Sequence, residues 1–168
     1  MYQYCVVVAD GSRARFFTLK DADIPEIQSG PNLVEMMDLS NPEHSMQGQE
    51  MWSDKKSGRN RSSASGQSHG YDDHRQQHEE EIEKRFASSI ANECARLSKE
   101  SGASLILVSP KRMLGHLRSA METKMSGVSA QELAKDLSKL NTLQLHEHLA
   151  KERLIPERKG PGAKKVSR

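Results

Sequence analysis

Apolar and polar positions alternate in several distinct rhythms along the chain. Residues 4–9 form a β-branched apolar run that predicts a buried strand. Asp10-Gly11 follows, and residues 13–19 resume with the alternation Arg13-Ala14-Arg15-Phe16. Asp-Gly between two such runs is a strong hairpin signal, because both central turn residues tolerate positive φ. Residues 33–39 predict a third strand, with Ile27 as an alternative start, and Asn41-Pro42 ends it. Ile82, Phe86, Ile90, Cys94 and Leu97 then recur at helical spacing. They predict a long helix over residues 73–101, started by an Asp73/Gln76 capping pair and stopped at Gly102. Residues 104–108 form a continuous apolar run, as in a strand covered on both faces. Ser109-Pro110 reads as N-cap and N1 of a helix carrying Met113, Leu114, Leu117 and Met121. Residues 128–140 are ambiguous, since Leu133, Leu137 and Leu140 have helical spacing where a strand is due. Asn141-Thr142 starts a last helix through Leu145 and Leu149.

Three closely spaced strands are expected to be antiparallel, and those joined by helical crossovers to be parallel. The order predicts an α/β chain, bordering on α+β. Its form is a ribonuclease-H-like mixed five-stranded sheet flanked by helices. Residues 1–153 make one domain, with a flexible basic loop at 53–71 and a disordered basic tail at 154–168.

The loop changes the picture most. Residues 53–70 contain no aliphatic side chain larger than Ala64, so ordering entropy has little burial to offset it. Net charge is only +2, yet this stretch holds Lys55, Lys56, Arg59 and Arg61 against Asp54 alone. The tail adds Lys164 and Lys165 among its basic residues. Two basic segments on a near-neutral body point to a polyanion, or else to solvated extensions that maintain solubility. With 4% aromatic residues and none in 53–70, backbone contact is expected rather than base stacking. Trp52 reads as core packing just before the loop.

Candidate chemistry is sparse. Cys5 and Cys94 fall at core positions and form no Cys-x-x-Cys, so they read as buried reduced thiols. His69, His74 and His78 lie near Asp72, Asp73 and Glu79, but Arg75 stands where a zinc-protease glutamate would be. Neither a metal nor another cofactor is expected. Ser65-Gly66-Gln67-Ser68 places a Gly-Gln at the loop tip, where a Gln amide can donate and accept at once and orient a water. The opening residues show no basic n-region, and no apolar run is long enough to span a bilayer. A cytoplasmic location without membrane insertion is therefore expected.

Several stretches carry a family resemblance: Val6-Val-Val-Ala-Asp-Gly-Ser-Arg-Ala-Arg-Phe-Phe, Asn41-Pro42-Glu43, Trp52-Ser53-Asp54, His78 with Phe86-Ala87, Leu107-Val108-Ser109-Pro110 with Leu114-Gly115, and Lys135-Asp136-Leu137. On these the chain resembles the bacterial host attachment protein family over about residues 2–150. That family in turn looks like the middle domain of archaeal and eukaryotic peptide-chain release factors. There a Gly-Gly-Gln loop precedes a long helix and promotes peptide release from transfer RNA. Gly66 and Gln67 match the second Gly and the Gln, while Ser65 replaces the first Gly. The resemblance implies a strand within residues 128–133 and assigns Gly66 and Gln67 as catalytic candidates. Lys55, Lys56, Arg59, Arg61, Lys164 and Lys165 are the polyanion-binding candidates. The expected role is non-catalytic RNA or ribosome association, with transfer RNA, ribosomal RNA or the ribosome as partner. The alternatives are peptidyl-transfer-RNA hydrolysis through Gln67, and a direct or indirect part in attachment to host cells.

Overall fold

The computed structural model describes residues 4–44 and 69–163. Its five strands are β1 (Tyr4–Ala9), β2 (Arg13–Lys20), β3 (Asn32–Ser40), β4 (Ser104–Ser109) and β5 (Ala130–Ala134). Among the described residues, a helical stretch stands at 42–44, and three helices alternate with the later strands: α1 (His69–Ser101), α2 (Lys111–Lys124) and α3 (Thr142–Lys151). They form one sheet of order β3-β2-β1-β4-β5. β1–β2 and β2–β3 are antiparallel, while β1–β4 and β4–β5 are parallel. This is the mixed five-stranded α/β sheet that the sequence pattern predicts.

Both faces of the central strands are covered, which is why they read as unbroken apolar runs. Val7, Phe16, Leu105 and Leu107 face one cluster with Phe86 and Ile90 of α1 and Leu114 and Leu117 of α2. Val6, Val8, Phe17, Ile106 and Val108 face a second, closed by Leu145 and Leu149 of α3. The helices thus divide two and one between the faces. Cys5 and Cys94 are free and buried in the first cluster, where burial pushes the Cys5 thiol up to about 11.

Several boundaries differ from the sequence reading. α1 starts four residues before Asp73, so Asp73 lies inside the helix and is not its cap. Ile27 is 68% exposed in the β2–β3 connection and does not begin β3, because one turn there bonds Ile27 N and Gln28 N to the Ile24 carbonyl. Ser109 completes β4 by pairing with Ala134, which moves the N-cap of α2 to Pro110. The ambiguous 128–140 stretch divides into β5 and a loop. Leu133 sits in the strand and Leu137 in the second core cluster, so their helical spacing is coincidental. Other terminators act as read: Gly102 adopts φ +61° after α1, and Asn141 and Gln144 form a reciprocal capping box for α3.

Residues 154–163 of the segment read as a disordered tail lie against the domain. Ile155 is buried, Lys159 exchanges backbone hydrogen bonds with Gly30, and Arg158 Nε donates to Asn32 Oδ1 at 2.7 Å. The His146 ring lies 2.9 Å from the Pro156 carbonyl through Nε2. Because a carbonyl only accepts, that nitrogen carries the proton. Ile155 and Leu154, these two side-chain bonds and backbone pairing to the β2–β3 connection hold this short segment.

Candidate functional edge and the helical arm above it

The carboxyl ends of β1, β4 and β5 share one edge of the sheet, where ligands of open α/β sheets usually gather. Three connections leave it: the β1–β2 turn, the β4–α2 junction, and the β5–α3 loop. The end of β3 joins them. Asn41 is buried there, its backbone N–H donating to Ser12 O at 2.8 Å and its Nδ2 to Gly11 O at 3.0 Å.

Asp10 organises the β1–β2 turn. Its Oδ1 accepts from Ser12 N, Ser12 Oγ and Arg13 N, each at 2.8 Å. Burial pushes this carboxyl upward, but the donors from Ser12, Ser138 and Arg13 outweigh it and hold the group below the ordinary carboxylate value. The hairpin is present as read, though by a different mechanism. Gly11 does not take positive φ; a Cβ there would instead stand 3.3 Å from Glu83 Oε1. The turn is an Asx turn whose glycine makes room for α1.

Asp136 and Ser138 of the β5–α3 loop reach the same place. The Ser138 hydroxyl stands 2.7 Å from Asp136 Oδ1 and also serves the Asp10 carboxylate. One hydroxyl has one proton, so it donates to one carboxylate at a time; the short Asp136 contact is the better defined. Arg15, buried in β2, fixes this loop from below. It forks onto Glu35 through Nε and Nη2, each 3.0 Å, and Nη1 donates to Leu140 O at 2.7 Å and Ser138 O at 3.3 Å.

On the opposite face, Glu83 of α1 meets α2. Its Oε2 is 3.0 Å from Arg112 Nε and 3.5 Å from His116 Nε2. Neither contact has hydrogen-bond alignment, so the Arg112 contact is an attraction of charge rather than a directed bond. This acid next to the first turn of α2, which carries no acidic residue of its own, complements the positive end of that helix. Ser109 continues the strand alternation toward this face, and its hydroxyl is fully buried without a partner among the described residues. None of the side-chain ties made by Asp10, Ser138 and Glu83 was legible from spacing. The one sequence signal was Gly11, which marks a close approach as well as a turn.

The edge is therefore a set of ties. Asp10 commits its Oδ1 to three hydrogen bonds that hold the β1–β2 turn. Its removal has a measurable consequence. Asp10→Ala is expected to cost about 1–2 kcal/mol, in the range for hydrogen bonds to a charged group. The contribution is full above the unfolded carboxyl value of about 3.9. It is lost as pH falls below that value toward the lower folded one. Urea midpoints of wild type and Asp10→Asn should thus converge as pH is lowered from about 5 to about 2.

Above the edge stands an arm. α1 has 33 residues, about 50 Å, against about 20 Å for the six residues of β4. It runs antiparallel to β4, and Glu83 lies level with the β1–β2 turn. Residues 73–81 contain no buried side chain, and Ile82 is the first. About three turns therefore project past the sheet, with His74 and His78 exposed on them.

Residues 45–68 join His44, at the foot of the arm, to His69, at its tip. Lys55, Lys56, Arg59, Arg61, Gly66 and Gln67 lie outside the described residues, as do Lys164, Lys165 and Trp52, the last read as core packing. Gly162 N donates to Pro25 O at 2.9 Å, at the amino end of β1.

A mixed α/β sheet with a projecting helix defines the class of this chain. It belongs to the family described as "Protein required for attachment to host cells", which it matches over residues 5–149. No curated protein matches the sequence. Among the described residues no helix is long and apolar enough to cross a membrane.

Proposed function

We propose that this host-attachment-family chain is a non-catalytic, cytoplasmic RNA- or ribosome-associated protein that holds its basic segment out to RNA phosphate. The observation that carries this reading is the arm. A helix normally keeps an apolar face for burial, yet residues 73–81 contribute none, while Phe86, Ala87, Ile90, Ala91 and Cys94 are embedded in the core. A projecting helix start joined to Lys55, Lys56, Arg59 and Arg61 is suited to reach a partner larger than the domain. The commitment of Asp10 Oδ1 to the β1–β2 turn supports a structural role for this carboxylate. The strand order, read as ribonuclease-H-like, and Gly66-Gln67 before a long helix support kinship with release-factor middle domains. On this reading a part in attachment to host cells is indirect, through an intracellular RNA-linked process.

The test is equilibrium binding of transfer RNA and co-sedimentation with ribosomes across a salt series. Binding should weaken linearly in log salt. Replacing all four basic residues by Gln should flatten that slope by roughly 3, at about 0.7–0.9 per phosphate contact. Absence of any binding at low salt removes the reading. Peptidyl-transfer-RNA hydrolysis is a second reading, favoured by the position of Gln67 two residues before α1. It requires turnover on ribosomes that Gln67→Ala abolishes; equal rates would remove Gln67 from any mechanism.

A further inference from the structure

The start of α2 is uncapped. Its N-cap is Pro110, which makes no side-chain cap, and its first turn holds no acidic residue. The amides of Lys111, Arg112 and Met113 precede the first helical bond, from Leu114 N to Pro110 O at 2.9 Å, and so have no acceptor within the helix. A helix start of this kind attracts anions. Here it also adjoins buried polar atoms. Ser109 Oγ, His116 Nε2 and Glu83 Oε2 have no hydrogen-bond partner among the described residues. Ser109 immediately precedes Pro110 and is fully buried. Leu105 and Leu107 face the cluster under α1 and α2, so strand alternation turns Ser109 to that face, toward the start of α2. Val8 stands opposite Val108, which sets Ala9 beside Ser109 and Gly11 just beyond. Glu83 packs on Gly11, so its carboxylate and the Ser109 hydroxyl share one end of neighbouring strands.

One anion already stands here. Glu83 Oε2 lies 3.0 Å from Arg112 Nε and 3.5 Å from His116 Nε2, yet makes no directed bond to either. The donors are in place and unused. Lys111 adds an exposed ammonium with no partner among the described residues. The other acids nearby are engaged: Glu80, which also feels Arg112 and His116, is paired with Lys84, and Asp10 holds the β1–β2 turn.

We infer that the start of α2 is a binding site for a terminal phosphate group, which enters by displacing the Glu83 carboxylate. Charge favours this ligand. A phosphate monoester carries about −1.5 to −2 at pH 7, more than the single charge of the carboxylate it replaces. An internal phosphodiester has no such advantage, and it has fewer free oxygens. The three terminal oxygens of a monoester can meet the α2 amides, the Ser109 hydroxyl, and Arg112 with His116 at once. The Glu83 side chain is 22% exposed, so it can rotate to solvent as the ligand enters. The phosphate of a nucleotide and that of an RNA 5′ end share this chemistry. The site is separate from Lys55, Lys56, Arg59 and Arg61, and the inference stands whether or not those residues meet RNA.

Calorimetric titration of the full-length protein tests it, with inorganic phosphate, a nucleoside monophosphate, and one oligoribonucleotide bearing either a 5′-phosphate or a 5′-hydroxyl. Phosphate and the monophosphate should bind saturably. Tighter binding of the 5′-phosphorylated oligonucleotide than of its 5′-hydroxyl counterpart assigns RNA ends as a source, and a response to the monophosphate alone assigns nucleotides. Glu83→Gln, which keeps the shape, should tighten phosphate binding by about tenfold, and Arg112→Gln should weaken it by about tenfold. Ser109→Ala should weaken binding without lowering the urea midpoint, because it removes a buried hydroxyl that has no partner. Amide resonances of Lys111, Arg112 and Met113 should move on adding phosphate. Absence of saturable phosphate binding overturns the inference. So does acetate binding as tightly as phosphate, Glu83→Gln binding no tighter than wild type, or shifts confined to other parts of the chain.

Discussion

Replacing Arg15 with Ala is expected to lower folding stability by about 2–4 kcal/mol. The guanidinium is one-tenth exposed and meets four acceptors: both Glu35 oxygens and the carbonyls of Ser138 and Leu140. Truncation leaves the Glu35 carboxylate without its partner and two carbonyls beside a void. Glu35 is one-third exposed and regains some water, which places the cost below that of a fully buried pair. The guanidinium also lies 4.9 Å from the Phe17 ring centroid, so packing is lost with the charge. Arg15→Lys should recover little, because a single ammonium cannot fork onto a carboxylate and reach two carbonyls as well. Arg15→Met combined with Glu35→Met should recover more, since it removes both charges and leaves only the carbonyls unmet. Urea denaturation of the three variants beside wild type checks this order. An Arg15→Ala protein within about 0.5 kcal/mol of wild type would show that the fork contributes nothing net.

The difficulty of seeing Arg15 in advance shows what kind of information the sequence holds. Local rhythm is enough for the 82-86-90-94 stripe of α1, the continuous run of β4 and the Asn141 cap, because each is settled by neighbours within one or two turns. Arg15 looks like the outward member of an alternating pair with Ala14. Its burial is decided by backbone carbonyls 123 and 125 residues away. Gly11 is similar: the pattern identifies a turn, but Glu83 supplies the reason for glycine. The chain after Pro156 reads as disordered because most of what holds it is backbone pairing to Gly30 and Pro25, and backbone bonds leave no trace in side-chain periodicity. For function the sequence spoke through composition. The basic residues and Gly66-Gln67 stand out by charge and by resemblance, whereas the ties at the sheet edge, made of common residue types, do not.

The division of α1 into an embedded half and an arm yields the second large effect. Ile90 is fully buried between the sheet and α2, so Ile90→Ala should cost about 2–5 kcal/mol, from lost transfer energy and the cavity left behind. Gln77→Gly, thirteen residues earlier on the same helix, disturbs only the arm. Glycine there weakens helix by about 1 kcal/mol locally. None of the described side chains at 73–81 is buried, so this part of the arm can fray without opening the core. The global urea midpoint of Gln77→Gly should therefore stay near wild type, while exchange of the arm amides accelerates. If Gln77→Gly instead lowers the midpoint as far as Ile90→Ala does, the arm is packed against something and does not stand clear of the sheet. If the midpoints separate as expected, Gln77→Gly becomes the variant of choice for the binding assays. It alters how residues 45–68 are presented while leaving the domain that presents them intact, so any change in RNA affinity would be assigned to presentation rather than to unfolding.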